Sequence, residues 1–124
     1  MRIFKSKAFN KWAAKEQVND QALIKAVADM ERGLIDADLG SYLYKKRVAV
    51  GGKGKSGGVR TLLAFKLGDK AFFIYGFAKN ARANIKENEE TVLKRYAAVL
   101  LGYSDTELNQ AVKASALIEV KDNG

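Results

Sequence analysis

A chain of 124 residues with 22 Lys and Arg against 14 Asp and Glu, a formal net charge of +8, and no His, Cys or Pro excludes several chemistries at once. Thiolate nucleophiles, disulfide frameworks and Cys-based metal sites are out, serine-protease-like triads with them, and the commonest general base and metal ligand is missing. With 48% apolar residues at this length, one globular domain over residues 1–124 with a real core is expected.

In chain order, Arg2 to Lys5 alternates apolar and polar residues and predicts an edge strand. Ser6 then offers an N-cap for a helix with Phe9, Trp12 and Ala13 at helical spacing, Trp12 being assigned to the core. A second helix opens at Asn19 or Asp20, carries Leu23, Ala26, Val27 and Met30 as one apolar stripe, and stops at Gly33. The two are expected to pair as a helical hairpin. Leu34 to Gly40 is acidic and turn-like, and Tyr42 to Val50 has the aromatic and β-branched content of a strand. Residues 51–58, GGKGKSGG, offer almost nothing to pack and read as a flexible basic loop. Val59 to Leu67 and Lys70 to Ala78 predict two strands joined by a two-residue turn at Gly68-Asp69. The second contains AFFIYGF, apolar on both faces, and belongs in the middle of a sheet. Asn80 to Lys86 is polar, a turn or a short helical piece.

Glu87 to Leu101 predicts an amphipathic helix with Glu87, Glu89 and Glu90 in the first turn and Val92, Leu93, Tyr96, Ala97 and Leu100 on one face. Ser104 to Glu107 is a capping-box sequence opening a last helix through Val112, and Ala116 to Val120 adds a final strand. Neither an internal repeat nor a domain linker is visible. No stretch approaches the roughly 20 apolar residues of a membrane span, and MRIFKSKAFNKWAAK turns charged too early for a signal peptide. A soluble, cytoplasmic protein is expected.

The charge is concentrated. Residues 42–82 hold ten basic side chains and a single acid, Asp69, while the 12 basic and 13 acidic residues elsewhere nearly cancel. Such a surplus reads as a surface for a polyanion, whether nucleic acid, anionic lipid or an acidic protein. GGKGKSGG holds a GxGxxG match and a Gly-Lys-Ser like the end of a Walker A loop, but Ala49 stands where the first glycine belongs and a strand follows instead of a helix. A hairpin loop kept basic for RNA phosphates accounts for it better. If residues 44–48 form a strand, Lys45 and Arg47 share a face. Arg60 on the next strand, and Lys79 and Arg82 after the following one, join them in one concave basic face. Mutual repulsion in such a cluster lowers lysine pKa values, and the cluster would stabilise a phosphorane-like dianion.

The element order and four stretches together resemble the RelE/HigB-type toxins of bacterial toxin-antitoxin pairs. The stretches are ERGLIDADLG at 31–40, YLYKKRVA at 42–49, GKGKSGGVRTLLAF at 52–65 and FFIYGFAKNARANI at 72–85. The nearest likeness is to a HigB-like subgroup with longer C-terminal helices. The resemblance implies an α+β fold: a small twisted antiparallel sheet, an N-terminal helical hairpin packed on one face, and C-terminal helices. It also implies a ribosome-dependent mRNA endonuclease, needing neither metal nor cofactor, in which the 2′-hydroxyl attacks the adjacent phosphate to give a cyclic phosphate and a free 5′-hydroxyl. Carried over by position, Lys45 is the base candidate, Arg47 a phosphate ligand and Arg60 the transition-state arginine, with Lys79 as a fourth catalytic residue. Lys46, Lys53, Lys55, Asn80, Arg82 and Lys86 are the remaining RNA contacts. Asn80 stands where the best-studied branch has a second arginine, and Lys86 near where that branch has a tyrosine. The partners implied are a cognate antitoxin of the helix-turn-helix type, the ribosome and mRNA, and no membrane. Two other readings use the same residues: a ParE-like toxin that binds DNA gyrase and catalyses nothing, and a plain nucleic-acid-binding module.

Overall fold

The computed structural model describes residues 1–50, 54–78 and 81–121, with the side chains of all of these except 54–57. The elements run β1 (Arg2–Ser6), α1 (Lys7–Lys15), α2 (Asp20–Glu31), β2 (Ala37–Asp38), β3 (Leu43–Val50), β4 (Gly54–Lys66), β5 (Lys70–Ala78), α3 (Glu87–Leu101), α4 (Asp105–Lys113) and β6 (Leu117–Val120). The helix starts follow the capping chemistry: the Ser6 hydroxyl accepts from the Phe9 amide at 3.1 Å, Asn19 Oδ1 from the Ala22 amide at 2.9 Å, and Ser104 with Glu107 forms the predicted capping box. Gly33, at φ +88°, follows α2 in the left-handed conformation that glycine alone takes freely.

The strands form one six-stranded sheet in the order β2-β3-β4-β5-β1-β6. It is not purely antiparallel, because β1 runs parallel to β5, with Arg2 opposite Lys70 and Lys5 opposite Phe73. Nor is β1 an edge: β6 covers its other side, so Ile3 and Phe4 are buried on opposite faces, and the Phe4 and Phe72 rings stack at 5.1 Å. Helices lie on both faces. On one, Phe9, Ala13, Leu23, Val27 and Met30 of α1 and α2 pack on Val48, Val59, Leu63 and Phe73. On the other, Ala97, Leu100 and Leu108 of α3 and α4 pack on Leu43, Leu62, Ala64 and Phe72. The two N-terminal helices share a face, and each lies chiefly on the sheet, α1 against β5 and β1 and α2 against β3.

Three other expectations change. Gly54–Gly58, expected in the loop, already belongs to β4, and Gly58 lies so close to the Val48 carbonyl oxygen that a Cβ there would approach it to 2.3 Å; residues 51–53 lie outside the described part. The β4–β5 connection has three residues, because Lys66 pairs with Lys70 and the Lys66 carbonyl accepts from Asp69 across Gly68 at φ +74°, as in a type II turn. Val92, predicted on the buried face of α3, is 62% exposed.

A bulge sets the register that matters most. Leu62 pairs with Tyr75 but Leu63 with Phe73, so Ile74 is an extra residue in β5. Alternation is reset there: Ile74 and Tyr75 both join the α3 side, and Gly76 turns to the α1 side. Trp12, half-buried, lies flat against that glycine. A Cβ at position 76 would fall within 2.2 Å of the Trp12 ring. Gly76→Ala is therefore expected to destabilise the fold by about 2 kcal/mol, the usual cost of overpacking. Urea denaturation of the two proteins checks this, and equal midpoints would show that the indole shifts freely.

Candidate functional site

α3 packs on its face of the sheet against β3, β4 and β5. In β3, Leu43, Lys45 and Arg47 share that face, and the antiparallel register sets Arg47 opposite Arg60, Lys45 opposite Leu62, Arg60 opposite Phe77, and Leu62 opposite Tyr75. Two rows result: Arg47–Arg60–Phe77 and Lys45–Leu62–Tyr75. Directly opposed side chains have Cβ atoms about 5 Å apart, so two guanidinium groups face each other across β3 and β4, an arrangement that costs stability.

No carboxylate among the described residues forms an ion pair with Lys45, Arg47 or Arg60. Lys45 Nζ instead donates to Asn84 Oδ1 at 3.0 Å. Arg60 Nη1 is buried and has no hydrogen-bond partner among the described residues. A buried cationic donor left unpaired costs upwards of about 1 kcal/mol, so the arrangement calls for an anion to complete it.

Arg82 closes the rim. It follows the end of β5, donates from Nη1 to the Tyr75 hydroxyl at 2.9 Å, and forms a two-pronged ion pair with Glu89 of α3 at 2.6 and 3.0 Å. Glu89 also accepts from the Lys86 backbone amide at 2.8 Å, at the N-terminus of α3. The Arg82 guanidinium, and after it that amide, hold the Glu89 carboxyl down at about 2, and the same pair raises Arg82 further above its ordinary value. Arg82 is thus an anchored cation that fixes Tyr75.

The expected site residues divide accordingly. The structure brings Lys45, Arg47 and Arg60 onto one face with Arg82 beside them. Lys46 points the other way, as strand alternation requires: its ammonium, 8% exposed as a residue, donates to the Leu34 carbonyl at 2.9 Å beside Asp29, and it stands apart from the basic face. Lys86 is exposed at the N-cap of α3. Lys53, Lys79 and Asn80 lie outside the described residues, as does the side chain of Lys55. Sequence reasoning missed Tyr75, Phe77, Asn84 and Glu89. Tyr75 and Phe77 were hidden in an apolar strand, and only the bulge at Ile74 turns them toward the arginines. Among the described residues no His/Cys/Asp/Glu group is arranged to hold a metal ion, and no helix is long and apolar enough to cross a membrane.

The family model described as the RelE toxin of the RelE / RelB toxin-antitoxin system matches residues 1–120. The chain belongs to the RelE toxin family. No curated protein matches it. Membership makes this RelE-family chain the toxin of a toxin-antitoxin pair, with an antitoxin as its partner, and gives the α+β architecture above its place.

The Arg82–Glu89 pair has a sign that can be worked out. The Glu89 pKa is lower in the folded than in the unfolded chain, so the stabilisation it contributes is whole above an ordinary carboxylate pKa, near 4.5, and is lost as pH falls toward about 2. In Arg82→Ala the Glu89 carboxyl carbon is expected to titrate at a distinctly higher midpoint by NMR, still short of 4.5 because the Lys86 amide remains. An unchanged midpoint would mean that the amide alone holds the proton off.

Proposed function

We propose that this RelE-family toxin is a metal-independent endoribonuclease that cleaves mRNA on the ribosome. The observation that carries the reading is the buried Nη1 of Arg60, without a hydrogen-bond partner among the described residues, opposite Arg47 and one row from Lys45 on the α3 face of the sheet. An RNA phosphodiester supplies the missing acceptor. Its non-bridging oxygens fit between the two guanidinium groups, whose planar donor sets suit phosphate and gain strength as charge builds on the pentacoordinate phosphorus.

In the reaction, the 2′-oxygen attacks phosphorus, its proton passes to Lys45 Nζ as the general base, and the bond to the 5′-oxygen breaks. The leaving oxygen takes a proton from the hydroxyl of Tyr75, whose lone pair is already engaged by Arg82. The products are a 2′,3′-cyclic phosphate and a 5′-hydroxyl. Neither metal nor histidine is needed. Lys53, Lys55, Lys79, Asn80 and Lys86 complete the reading as contacts along the RNA, on sequence alone. A helix-turn-helix antitoxin, the ribosome and mRNA are the partners of this reading, in the cytoplasm.

Mapping mRNA ends in a cell-free translation system tests it. The wild-type protein is expected to give codon-phased cuts, Arg60→Ala to lose at least a hundredfold in cleavage, and Tyr75→Phe to cut slowly while still binding. Lys46→Met, altered on the opposite face, is expected to cut at the same positions as wild type. Intact mRNA together with blocked DNA supercoiling would replace the nuclease by a gyrase poison.

A further inference from the structure

The segment 81–86, which carries the chain from β5 to α3, is held by a run of hydrogen bonds. The amides of Ala81 and Arg82 both donate to the Ala78 carbonyl, at 3.0 and 3.2 Å. Arg82 Nε donates to the Asn84 carbonyl at 3.0 Å, while its other nitrogens hold the Tyr75 hydroxyl and Glu89. Asn84 Oδ1 accepts from the Ile85 amide at 2.9 Å, and the Lys86 amide donates to Glu89 at 2.8 Å. Asn84 is exposed, yet bonds to the backbone on either side fix where its side-chain oxygen stands.

The same oxygen accepts from Lys45 Nζ at 3.0 Å, across 39 residues of sequence. Lys45 stands at one end of the row Lys45–Leu62–Tyr75. Two features set the contact apart. The first is that the acceptor is an amide. Arg2, Lys5, Arg82 and Lys94 are each paired with a carboxylate, which favours the charged form of its partner, whereas an uncharged oxygen accepts from the nitrogen without doing so. A lysine that must take up a proton and release it again is suited by such an acceptor. The second is that Arg82 reaches both ends of the row. Its Nη1 fixes the Tyr75 hydroxyl at one end, and its Nε fixes the backbone of Asn84, whose side chain holds Lys45 at the other. One exposed hydrogen bond adds little to stability, but an acceptor already set in place restricts where Nζ can sit.

We propose that Asn84 is a positioning residue of the cleavage reaction: its side-chain oxygen takes one N–H of Lys45 and so turns the nitrogen toward the 2′-hydroxyl. Asn84 itself touches neither ribose nor phosphate in this role. It acts through Lys45, and through Arg82 the same segment sets the base relative to the Tyr75 hydroxyl that serves the leaving oxygen. The inference rests on the nuclease reading. The charged groups on the same side of the sheet are Arg47, Arg60, the Arg82–Glu89 pair and the Glu90–Lys94 pair of α3, and β2 sets the uncharged Ala37 opposite Lys45. A substitution at Asn84 leaves all of these in place, so its effect on Lys45 can be read by itself.

The test uses the full chain, with single-turnover cleavage measured on ribosomes loaded with mRNA and the Lys45 side chain followed by carbon NMR in the free protein. Asn84→Ala is expected to lower the maximal rate about tenfold or more and to leave the half-saturating concentration within about twofold, because a displaced reacting group slows chemistry while the arginines that hold the phosphate are intact. Its Lys45 Cε resonance is expected to shift as the side chain loses its acceptor. Asn84→Asp keeps an oxygen for both Lys45 and the Ile85 amide, so Lys45 stays in place, but the carboxylate favours the ammonium. Its cleavage is expected to be slow at neutral pH and to recover toward the wild-type rate as pH rises. An Asn84→Ala protein that cuts as fast as wild type, or whose Lys45 resonance is unmoved, would overturn the proposal. So would full activity of Asn84→Asp at neutral pH, which would leave Asn84 as a support of the backbone turn. Those results reject this role alone; transcripts left uncut by the wild-type protein would reject the nuclease reading and this role with it.

Discussion

One inserted residue governs the working side of this molecule. A strand without the bulge at Ile74 would keep strict alternation, sending Tyr75 toward α1 and Gly76 toward α3. Trp12 would then meet a phenol where it now meets a bare backbone, and Arg82 would have no hydroxyl to hold. Because the bulge lies in the strand at the centre of the sheet, its effect reaches both layers: it opens room for the indole of α1 on one face and aims two aromatic rings at the arginines on the other. Bulges beside active sites characteristically re-aim side chains in this way.

The same strands bear an electrostatic load. Arg47 and Arg60 oppose each other across β3 and β4, and one guanidinium nitrogen of Arg60 is buried without an acceptor among the described residues. The surroundings are unfavourable for such a pair yet rigid enough to keep it. Leu62, Leu63 and Ala64 of β4 are buried on both faces, and the β4 strand that carries Arg60 is flanked on either side. Several other cations are matched: Arg2 is clasped by Glu119 and Asp105, Lys5 by Asp20, and Arg82 by Glu89. Lys45, Arg47 and Arg60 have no such partner among the described residues.

Much of this was legible in the sequence, and the failures share a cause. Ser6, Asn19 and the Ser104–Glu107 box act through contacts three residues away, so the chain states them outright. Alternation within one strand set Lys45 and Arg47 together and, read one residue further, sets Lys46 against them. What needed a partner strand was not legible. That β1 lies inside the sheet and parallel to β5, that β4 begins within the glycine run, and that Ile74 is a bulge all depend on pairings distant in sequence. Tyr75 and Phe77 were invisible for that reason. The Arg82–Glu89 pair joins a connecting segment to the first turn of α3, between residues seven apart in sequence with an irregular stretch between them. Val92 has the composition of a core residue and yet is exposed.

One residue ties the two layers together. Tyr75 lines a cavity on each side of β5 and also accepts from Arg82 on the basic face. α1 is fixed through Trp12 on Gly76, and α3 through Glu89 on Arg82. Both helices are thus held at the stretch of chain that follows the bulge at Ile74, so a change there reaches both faces of the sheet at once.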